Sequence, residues 1–387
     1  MSVTAAMTGK HETTGGSTAE HAARLEELVG DQANEWDRTG LLPVELLRRL
    51  GADGVLCAEV SAEHGGLGWT SLDNGEFTAR TGALCGSLRS VQTSQGMAAW
   101  TVQRLGEPAQ RAEYLRRLTG GELAAVGFSE PHAGSDLSAM STTIRPDGDS
   151  VVVDGHKVWV TAASYADLVV VFGKYSGGGG AAVVVPVGTP GVRIERVAEP
   201  LGCRAAGHAA VFLDSVRIPA SAVLGAGAGL GLLVATSLAY GRKSVAWGCV
   251  GILRACRDAA VRHATTREQF GAPLAEHQLV ARHLANLLTG EHVATLLCEH
   301  ASRCWDSGSP ESVISTLLAK NECARRAADG AASAVQVLAS AGALDGHVVA
   351  RAYRDAKLME IIEGSTEMCQ VLLAEHAVRT LAGETAR

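Results

Sequence analysis

Helical spacing of apolar residues marks the first third of the chain, over residues 20–122. The segment Gly-Leu-Leu-Pro at 40–43 is typical of a helix start, because proline fits the first turn, where no backbone N–H is needed. Apolar residues follow on one helical face at Leu46, Leu47 and Leu50. The glycine-rich stretch 63–69 interrupts the pattern and predicts a loop. The sequence therefore predicts a helical N-terminal domain.

Helical spacing returns from about residue 230 and continues almost to the end of the chain. One apolar stripe consists of Val245, Cys249, Ile252, Leu253, Cys256 and Ala260. Four long helical stretches fit the pattern, at 230–265, 276–304, 311–341 and 349–378. Antiparallel packing buries the apolar stripes of such helices against one another, so we predict a C-terminal four-helix bundle.

The pattern between these helical parts is that of short β-branched strands. Asp154-Gly155 lies between two apolar runs and predicts a hairpin turn, because this dipeptide readily adopts positive φ. Further strands are predicted at 168–172, 181–187, 192–197 and 210–218. The glycine-rich run 225–231 does not match a dinucleotide-binding fingerprint, and we interpret it as a flexible linker. The middle of the chain is thus predicted to be a compact antiparallel β domain.

These patterns predict an α+β protein of three domains. The predicted boundaries are a disordered polar tail at 1–19, a helical domain at 20–122, a β domain at 123–229 and a helical bundle at 230–387. The tail lacks the apolar segment of a signal peptide, and no apolar run reaches the length of a membrane helix. We therefore expect a cytoplasmic protein without a membrane partner.

Composition and charge exclude several classes of function. Hydrophobic residues form 47% of the chain and aromatic residues only 4%, which favours closely packed helices. The formal net charge of −7 argues against a nucleic-acid partner. The nine cysteines include no CxxC pair and are expected to be reduced thiols. The thirteen histidines form no recognisable ligand spacing, so no metal site is predicted.

Two loops carry residue types suited to binding phosphate or a polar ring edge. The segment 127–136 places Ser129 and Ser135 in a glycine-containing turn, whose simpler interpretation is a loop that joins two domains. The segment 266–271 contains Arg267 and Phe270. A guanidinium suits bidentate contact with phosphate, although an exposed residue at a helix end fits the pattern equally.

A group of carboxylates near the C-terminus is the candidate for acid–base chemistry. Glu360, Glu363 and Glu367 surround Gly364, and this spacing most often marks a solvated helical face. The neighbouring isoleucines at 361 and 362 indicate an apolar environment, in which the pKa of a carboxyl group rises towards neutrality. From the residues alone, a surface role and a role as general base both stay open.

In this order and at this spacing, these segments resemble the acyl-CoA dehydrogenase family over roughly residues 20–380. The segments that carry the resemblance are GLLP, EHGGLG, FSEPHAGSD, GHKVWVTAASYAD, DSVRIPASAVLG, TREQFG, EHQLV and YRDAKLMEIIEGSTEM. The resemblance implies a helical domain, a β domain and a four-helix bundle, assembled as a dimer or tetramer that binds FAD. It places the catalytic base at Glu363 and a substrate-binding arginine at Arg242. An alternative base position of some relatives is Gly241 here.

The resemblance also implies residues that bind FAD. Phe128 and Ser129 would contact the pyrimidine side of the flavin, Trp159 and Thr161 its reactive ring, and Ser135 the pyrophosphate. Residues of the neighbouring subunit, at Arg267, Phe270 and Gln336, would hold the ADP portion. Ser365 replaces a commoner threonine and retains a hydroxyl at the cofactor site.

Within the family, four stretches are particularly similar to acyl-carrier-protein dehydrogenases that make hydroxymalonyl and methoxymalonyl extender units for polyketides. These stretches are 87–100, 202–209, 238–256 and 352–369. The similarity implies oxidation, at C3, of a glyceryl-derived unit on the phosphopantetheine arm of an acyl carrier protein. The reaction is either dehydrogenation of glyceryl thioester towards the aldehyde or oxidation of the aldehyde hydrate to the acid, and we favour the second. A nicotinamide dehydrogenase would perform the other step.

Two other functions stay open at this stage. One is a catabolic short-chain acyl-CoA dehydrogenase that desaturates CoA esters. The other is a non-catalytic FAD-binding protein, which the retained Glu363 disfavours. Any enzymatic version requires an acceptor for the electrons of reduced FAD.

Overall fold

The computed structural model describes residues 17–385, and residues 1–16 of the predicted tail lie outside this range. Ser17 already caps the first helix, because its hydroxyl accepts a hydrogen bond from the Glu20 backbone N–H and the Glu20 carboxylate accepts one from the Ser17 backbone. The N-terminal helices are α1 (Thr18–Val29), α2 (Ala33–Thr39), α3 (Val44–Ala52), α4 (Ser71–Leu84), α5 (Gly86–Leu105) and α6 (Pro108–Thr119). The predicted helical first third is confirmed.

An eight-stranded sheet forms the middle of the chain. Its strands are β1 (Ala124–Gly127), β2 (Thr143–Asp147), β3 (Ser150–Val160), β4 (Leu168–Tyr175), β5 (Gly180–Pro186), β6 (Val192–Arg196), β7 (Ala209–Pro219) and β8 (Val223–Ala228). They lie in the order β6-β7-β3-β2-β4-β5-β8, and β1 pairs with β4. Both β1 and β2 run parallel to β4. The β domain is confirmed, and its other strand pairs are antiparallel as predicted, but these two parallel pairs make the sheet mixed.

The predicted turn at Asp154-Gly155 was wrong. These residues lie inside β3, at a register shift relative to β7, and the turn before β3 instead contains Gly148 with φ +62°. Gly155 is required for a different reason, because a Cβ atom there would approach the Thr142 hydroxyl to 2.3 Å. Asp-Gly is typical of a hairpin turn, but the glycine is explained here by the close approach of two chain segments.

The glycine-rich run at 225–231 is mostly a strand and not a flexible linker. Its first residues belong to β8, which pairs with β5 at the edge of the sheet. Gly225 and Gly227 have φ values of +62° and +82°, a region in which other residues are strained. Only Gly229 separates β8 from the helix that follows, so the sheet and the C-terminal helices are joined directly.

The C-terminal helices are α7 (Leu230–Thr266), α8 (Gln278–Asp306), α9 (Ser312–Leu338), α10 (Val348–Met359) and α11 (Thr366–Thr385). The strands β9 (Glu268–Gln269) and β10 (Ala272–Pro273) form a short hairpin between α7 and α8. The predicted stretch 349–378 is thus two helices with a break at 360–365. Within the described residues, no helix is long and apolar enough to cross a membrane.

Helix α7 is the central element, and it packs against α4, α5, α8, α9 and α10. Small residues allow the close approach: a Cβ atom on Gly251 would lie 2.1 Å from the Ala79 carbonyl oxygen, and one on Gly75 would lie 2.2 Å from the Trp247 indole nitrogen. This packing explains the low aromatic content. It also carries residues 240–253 of α7 through the interior, with side chains facing both the N-terminal helices and the C-terminal bundle.

Candidate active site

Glu363 lies in the break between α10 and α11, in a backbone conformation that few residues other than glycine adopt. Its φ is +57°, and that of Gly364 is +91°. Two buried cations hold this turn from neighbouring helices. Arg242 of α7 donates from Nε to the Glu363 carbonyl oxygen at 3.1 Å, and Lys320 of α9 donates from Nζ to the Gly364 carbonyl oxygen at 2.5 Å. The turn is therefore fixed, and with it the direction of the Glu363 side chain.

The Glu363 carboxyl group has the electrostatic properties of a general base. Its Oε2 atom is buried and has no hydrogen-bond partner within the part of the chain that the structure describes. Burial raises the pKa of Glu363 to about 7, against the opposing effects of Arg242, Lys320 and Arg89. A carboxyl group with this pKa accepts a proton near neutral pH and can release it again.

Gly241 supplies the space that the Glu363 carboxyl group occupies. A Cβ atom at position 241 would lie 2.5 Å from Glu363 Oε2 and 2.8 Å from the Met97 sulfur. Any residue larger than glycine at position 241 would displace the Glu363 carboxyl group. A side chain at position 241 of α7 and one at position 363 of the turn between α10 and α11 would thus occupy the same small volume.

A second wall of the site comes from the end of β3. Trp159 has φ +55°, lies within the irregularity between Lys157 and Val160 in the pairing of β3 with β7, and is 55% exposed. The Thr161 hydroxyl is hydrogen-bonded to Nδ1 of His208 at 3.2 Å, and the His208 ring meets the Trp159 indole edge-on. A wide aromatic face thus lies beside a hydroxyl group.

His208 is a site residue that sequence reasoning missed. Its Nε2 atom is buried without a partner among the described residues. Burial, together with the nearby charges of Arg89 and Arg196, lowers the pKa of His208 to about 4, so the ring is neutral at physiological pH. The only signal in the sequence was its position in the stretch 202–209.

Phe128 and Ser129 lie on the loop after β1 and are held against the same wall. The Ser129 carbonyl accepts a hydrogen bond from the Val158 N–H at 2.9 Å, and the Lys157 ammonium donates to the Phe128 carbonyl at 3.0 Å. The Phe128 ring packs on Phe172, with ring centroids 4.7 Å apart. The structure therefore brings together the four residues predicted to contact the flavin ring, because Val158 adjoins Trp159.

A buried ion pair that was not predicted anchors this loop. Glu130 accepts hydrogen bonds from Lys157 at 2.8 Å and from the backbone and hydroxyl groups of Ser141 and Thr142. Burial alone would raise the pKa of Glu130, but these donors outweigh it and lower the pKa to about 2. Burial lowers the pKa of Lys157 to about 8, although Glu130 opposes the shift. The pair is charged at neutral pH and fixes residues 128–130 relative to β3.

The remaining predicted cofactor residues lie on the surface. Ser135, Arg267, Phe270 and Gln336 are exposed, and their side chains make no hydrogen bond or ion pair with residues 17–380. The β9-β10 hairpin presents Phe270 at its turn, with φ +52° and 98% of its surface exposed. Ser365 accepts a hydrogen bond from the Met368 N–H at 3.3 Å, so its hydroxyl caps α11. Their contacts with a cofactor stay predictions.

The geometry fits a planar redox cofactor between the two walls. Trp159 offers a face on which a flat ring can lie, with Thr161 and His208 beside it as hydrogen-bonding groups. Unpartnered polar atoms remain on both sides, at Glu363 Oε2 and His208 Nε2. Such atoms are costly when buried alone, and a bound cofactor and substrate would supply their partners.

One group of possible metal ligands lies outside this site. The ligand atoms of His300, Cys304 and Glu311 are within 4.8 Å of one another. His300 and Cys304 are four residues apart on α8, a spacing that places both side chains on one face of the helix.

Three family models match the chain in sequence. They describe the N-terminal, middle and C-terminal domains of acyl-CoA dehydrogenase and match residues 18–122, 125–216 and 227–378. The mitochondrial short-chain specific acyl-CoA dehydrogenase of Mus musculus is 32% identical over 357 residues, which cover 90% of this chain and 86% of the relative.

Solved structures extend the similarity. FkbI, described as serving biosynthesis of the methoxymalonyl extender unit of the Fk520 polyketide immunosuppressant, is 68% identical with a TM-score of 0.89. The match covers 92% of this chain and 99% of FkbI. A glutaryl-CoA dehydrogenase from Mycobacterium smegmatis in complex with FADH2 is 27% identical with a TM-score of 0.87, and the match covers 93% of this chain and 94% of that one.

Proposed function

The chain belongs to the acyl-CoA dehydrogenase family of FAD-dependent oxidoreductases, and on this premise we propose that it oxidises a short acyl unit on an acyl carrier protein. The unit is a glyceryl-derived thioester that is oxidised at C3 on the way to hydroxymalonyl or methoxymalonyl carrier protein. The observation that carries this proposal is the 68% identity to FkbI over 92% of the chain.

The arrangement of Glu363 supports thioester oxidation. A thioester carbonyl acidifies the hydrogen on the adjacent carbon, and a base with a pKa of about 7 can remove it at neutral pH. The buried Oε2 atom is free to accept that proton, while Arg242 and Lys320 hold the backbone that carries it. Arg242 adjoins the base and is proposed to bind the substrate.

FAD is proposed to lie along the wall formed by Trp159 and Thr161, with Phe128 and Ser129 at its pyrimidine side. Bound there, it would accept the hydride that leaves the substrate. The exposed residues Arg267, Phe270 and Gln336 are proposed to reach the ADP portion in a neighbouring subunit, which explains an exposed phenylalanine at a hairpin turn. Ser135 would contact the pyrophosphate, and Ser365 would lie near the ring.

Two oxidations at C3 fit the site, and each removes two hydrogens from the acyl unit. In the first, Glu363 takes the C2 proton while a C3 hydrogen leaves as hydride, and the resulting enediol tautomerises to the C3 aldehyde. In the second, the hydrate of that aldehyde loses its C3 hydrogen as hydride and a hydroxyl proton to Glu363, which yields the carboxylic acid. We favour the second oxidation for this chain.

The partners follow from this assignment. The substrate arrives on the phosphopantetheine arm of an acyl carrier protein, and a separate acceptor reoxidises the reduced FAD. Proteins of this family form oligomers, and we propose a dimer or tetramer in which neighbouring subunits share the cofactor.

Catabolic desaturation of short acyl-CoA esters is the second candidate function. The observation that favours it is the 32% identity to the mouse short-chain enzyme over 90% of the chain. The two functions differ in the carrier and in the oxygen content of the acyl group. Both use Glu363 as base.

Anaerobic mixing of the purified holoenzyme with a panel of thioesters distinguishes these functions. The panel contains glyceryl carrier protein, its C3 aldehyde, the matched CoA esters and butyryl-CoA, and flavin absorbance is followed. Fast reduction by the carrier-bound aldehyde supports the favoured oxidation. Preferential reduction by butyryl-CoA would instead indicate the catabolic enzyme, and a flavin that no thioester reduces would indicate a binding protein.

A further inference from the structure

Three side chains of the kind that bind transition metals meet at the end of the bundle where α8 turns into α9. His300 and Cys304 lie one turn apart on α8, and Glu311 directly precedes α9. An imidazole nitrogen, the thiol sulfur and a carboxylate oxygen of these residues all lie within 4.8 Å of one another. Imidazole and thiolate are groups that select transition metals, so this set differs from an ordinary cluster of surface carboxylates.

The spacing of these atoms is close to that of a tetrahedral zinc site. The Cys304 sulfur lies 3.7 Å from Nε2 of His300. Zinc lies about 2.3 Å from sulfur and about 2.1 Å from nitrogen and oxygen, so ligand atoms at tetrahedral corners are separated by about 3.4–3.6 Å. The thiol and the imidazole are therefore already near coordinating distance. A rotation that moves the Glu311 oxygen by about 1 Å would complete three corners.

The backbone holds the residues in this arrangement. The turn between the helices folds back on α8, because the Ser309 N–H donates to the Cys304 carbonyl at 2.9 Å. Gly308 permits this fold with φ +64°. The Ser315 hydroxyl of α9 donates to the Cys304 sulfur at 3.6 Å, so the thiol is held from both helices. The ligands on α8 and the one before α9 are thus kept in register by the fold.

The cluster lies at the surface, with the thiol as its most buried member. Cys304 is 8% exposed, whereas His300 and Glu311 are exposed. The Glu311 carboxylate makes no hydrogen bond or ion pair with residues 17–380, so no cation in this part of the chain competes for it. A metal ion can therefore enter from solvent and keep a water molecule as its fourth ligand.

A simpler interpretation is a hydrogen bond from the Cys304 thiol to the His300 ring beside an unrelated surface glutamate. In that arrangement Nε2 accepts the thiol proton, and neither group offers a hydrogen to the carboxylate of Glu311. The approach of the carboxylate then has no attractive cause. A divalent cation among the three atoms would compensate for all of them at once.

We propose that His300, Cys304 and Glu311 form a binding site for a divalent transition metal, with zinc as the best fit. Zinc takes nitrogen, sulfur and oxygen ligands in tetrahedral geometry, whereas Mg²⁺ and Ca²⁺ prefer sites built from oxygen. Histidine spacing alone could not indicate this site, because one ligand is a thiol and another lies beyond a turn. The proposal goes beyond the oxidation proposed above and does not depend on it.

The role of such an ion would be structural. It would tie the end of α8 to the start of α9 beside Trp305, whose ring lies 4.1 Å from the buried Lys243 ammonium of α7. Asp306, the last residue of α8, accepts a hydrogen bond from the Ser71 N–H at the start of α4. An ion at this turn would thus stabilise the contact of α8 with two other helices.

The test titrates the tag-free holoenzyme with zinc chloride after treatment with EDTA and gel filtration, and calorimetry gives stoichiometry and affinity. We expect one zinc ion per chain with a Kd below about 10 μM. Cobalt(II) gives a spectroscopic check, because a tetrahedral site with a thiolate ligand absorbs at longer wavelengths than oxidised flavin. Zinc should also raise the urea midpoint of unfolding, since it binds the folded chain.

Three variants locate the site. Cys304→Ser removes the thiolate and should weaken zinc binding by on the order of 100-fold. Glu311→Gln removes the charge but keeps an oxygen, and it should weaken binding by about 10-fold. His292→Gln is the matched control, since this exposed histidine lies two turns earlier on α8, and zinc binding should be unchanged.

A wild-type Kd above about 10 μM would overturn the proposal. Equal zinc binding by wild type and Cys304→Ser would do so as well, because the zinc would then lie elsewhere. Equal weakening in His292→Gln and Cys304→Ser would count against the assigned ligands in the same way. If Cys304→Ser does not fold, the surface variant Glu311→Gln decides, and binding within about 3-fold of wild type would refute the site.

Discussion

Replacement of Glu363 by glutamine should strongly slow substrate oxidation and at the same time stabilise the protein. Glutamine has nearly the same size, so the space beside Gly241 and Met97 remains filled. The change removes a carboxylate that would otherwise be buried at Oε2 without a partner. Activity and stability are therefore expected to move in opposite directions.

The size of each effect follows from the site. Loss of a general base typically lowers a rate by about 10²- to 10⁴-fold. The pKa of Glu363 is raised from 4.5 to about 7, and each unit corresponds to about 1.4 kcal/mol, which sets a ceiling of about 3 kcal/mol. The buried amide also loses hydration, so a net gain of about 1–2 kcal/mol is expected.

The stability gain should depend on pH. Because the folded pKa lies above the unfolded one, the folded state binds more protons than the unfolded state between pH 4.5 and about 7. The wild type therefore loses stability as pH rises through this window and is constant above it. The advantage of Glu363→Gln should be small near pH 4.5 and complete by about pH 8.

Two measurements check this prediction. Urea unfolding of the apoprotein at several pH values gives the difference in free energy, and anaerobic mixing with substrate gives the rate of flavin reduction. Glu360→Gln is the matched control, since Glu360 pairs with Lys357 at 3.0 Å on the surface and should change neither. A Glu363→Gln variant that reduces its flavin normally would refute the assignment of the base. A stability difference that is constant with pH would refute the electrostatic account.

Four further predictions follow from the same structure. The rate of flavin reduction should rise with pH through about 7 as Glu363 loses its proton, and a rate that is flat from pH 5.5 to 8.5 would contradict this. Gly241→Ala should displace the carboxyl group and slow reduction by about 10- to 100-fold with FAD content unchanged, as stopped-flow and absorbance spectra would show. Arg267→Ala should lower FAD retention on gel filtration, and undiminished cofactor content would exclude its proposed role. Lys157→Met should destabilise the fold by about 3–5 kcal/mol in urea unfolding because Glu130 is left buried and unpaired, whereas the double change with Glu130→Gln should recover much of that loss.

The helices could be predicted from sequence because their signal is local. Apolar spacing gave the start of α7 at Leu230 and placed Cys249 and Cys256 in the core, where both are buried. The strands were harder to predict. Gly155 is explained by its close contact with Thr142, which belongs to a different segment of the chain. A dipeptide cannot show which other segment approaches it.

The residues of the site also differ in how far they could be predicted from local sequence. Glu363 could be selected from three carboxylates only through the order of motifs, since its local sequence also fits a surface helix. Arg89, His208 and the pair Glu130–Lys157 were missed, because their burial and partners depend on elements far apart in the chain. The burial of these side chains, and the presence or absence of their hydrogen-bond partners, cannot be read from the sequence.

The volume shared by positions 241 and 363 has a consequence for how this chemistry can change over time. Because a Cβ atom at 241 would lie 2.5 Å from Glu363 Oε2, the two positions cannot both carry a large side chain. During evolution, a base could be replaced by one at the other position and still act at the same point, but only after the first position had become small. The intermediate variant would carry either no base or two carboxylate side chains that clash. The position of the base is therefore hard to change, and selection for a new acyl group is expected to act on other residues of the site.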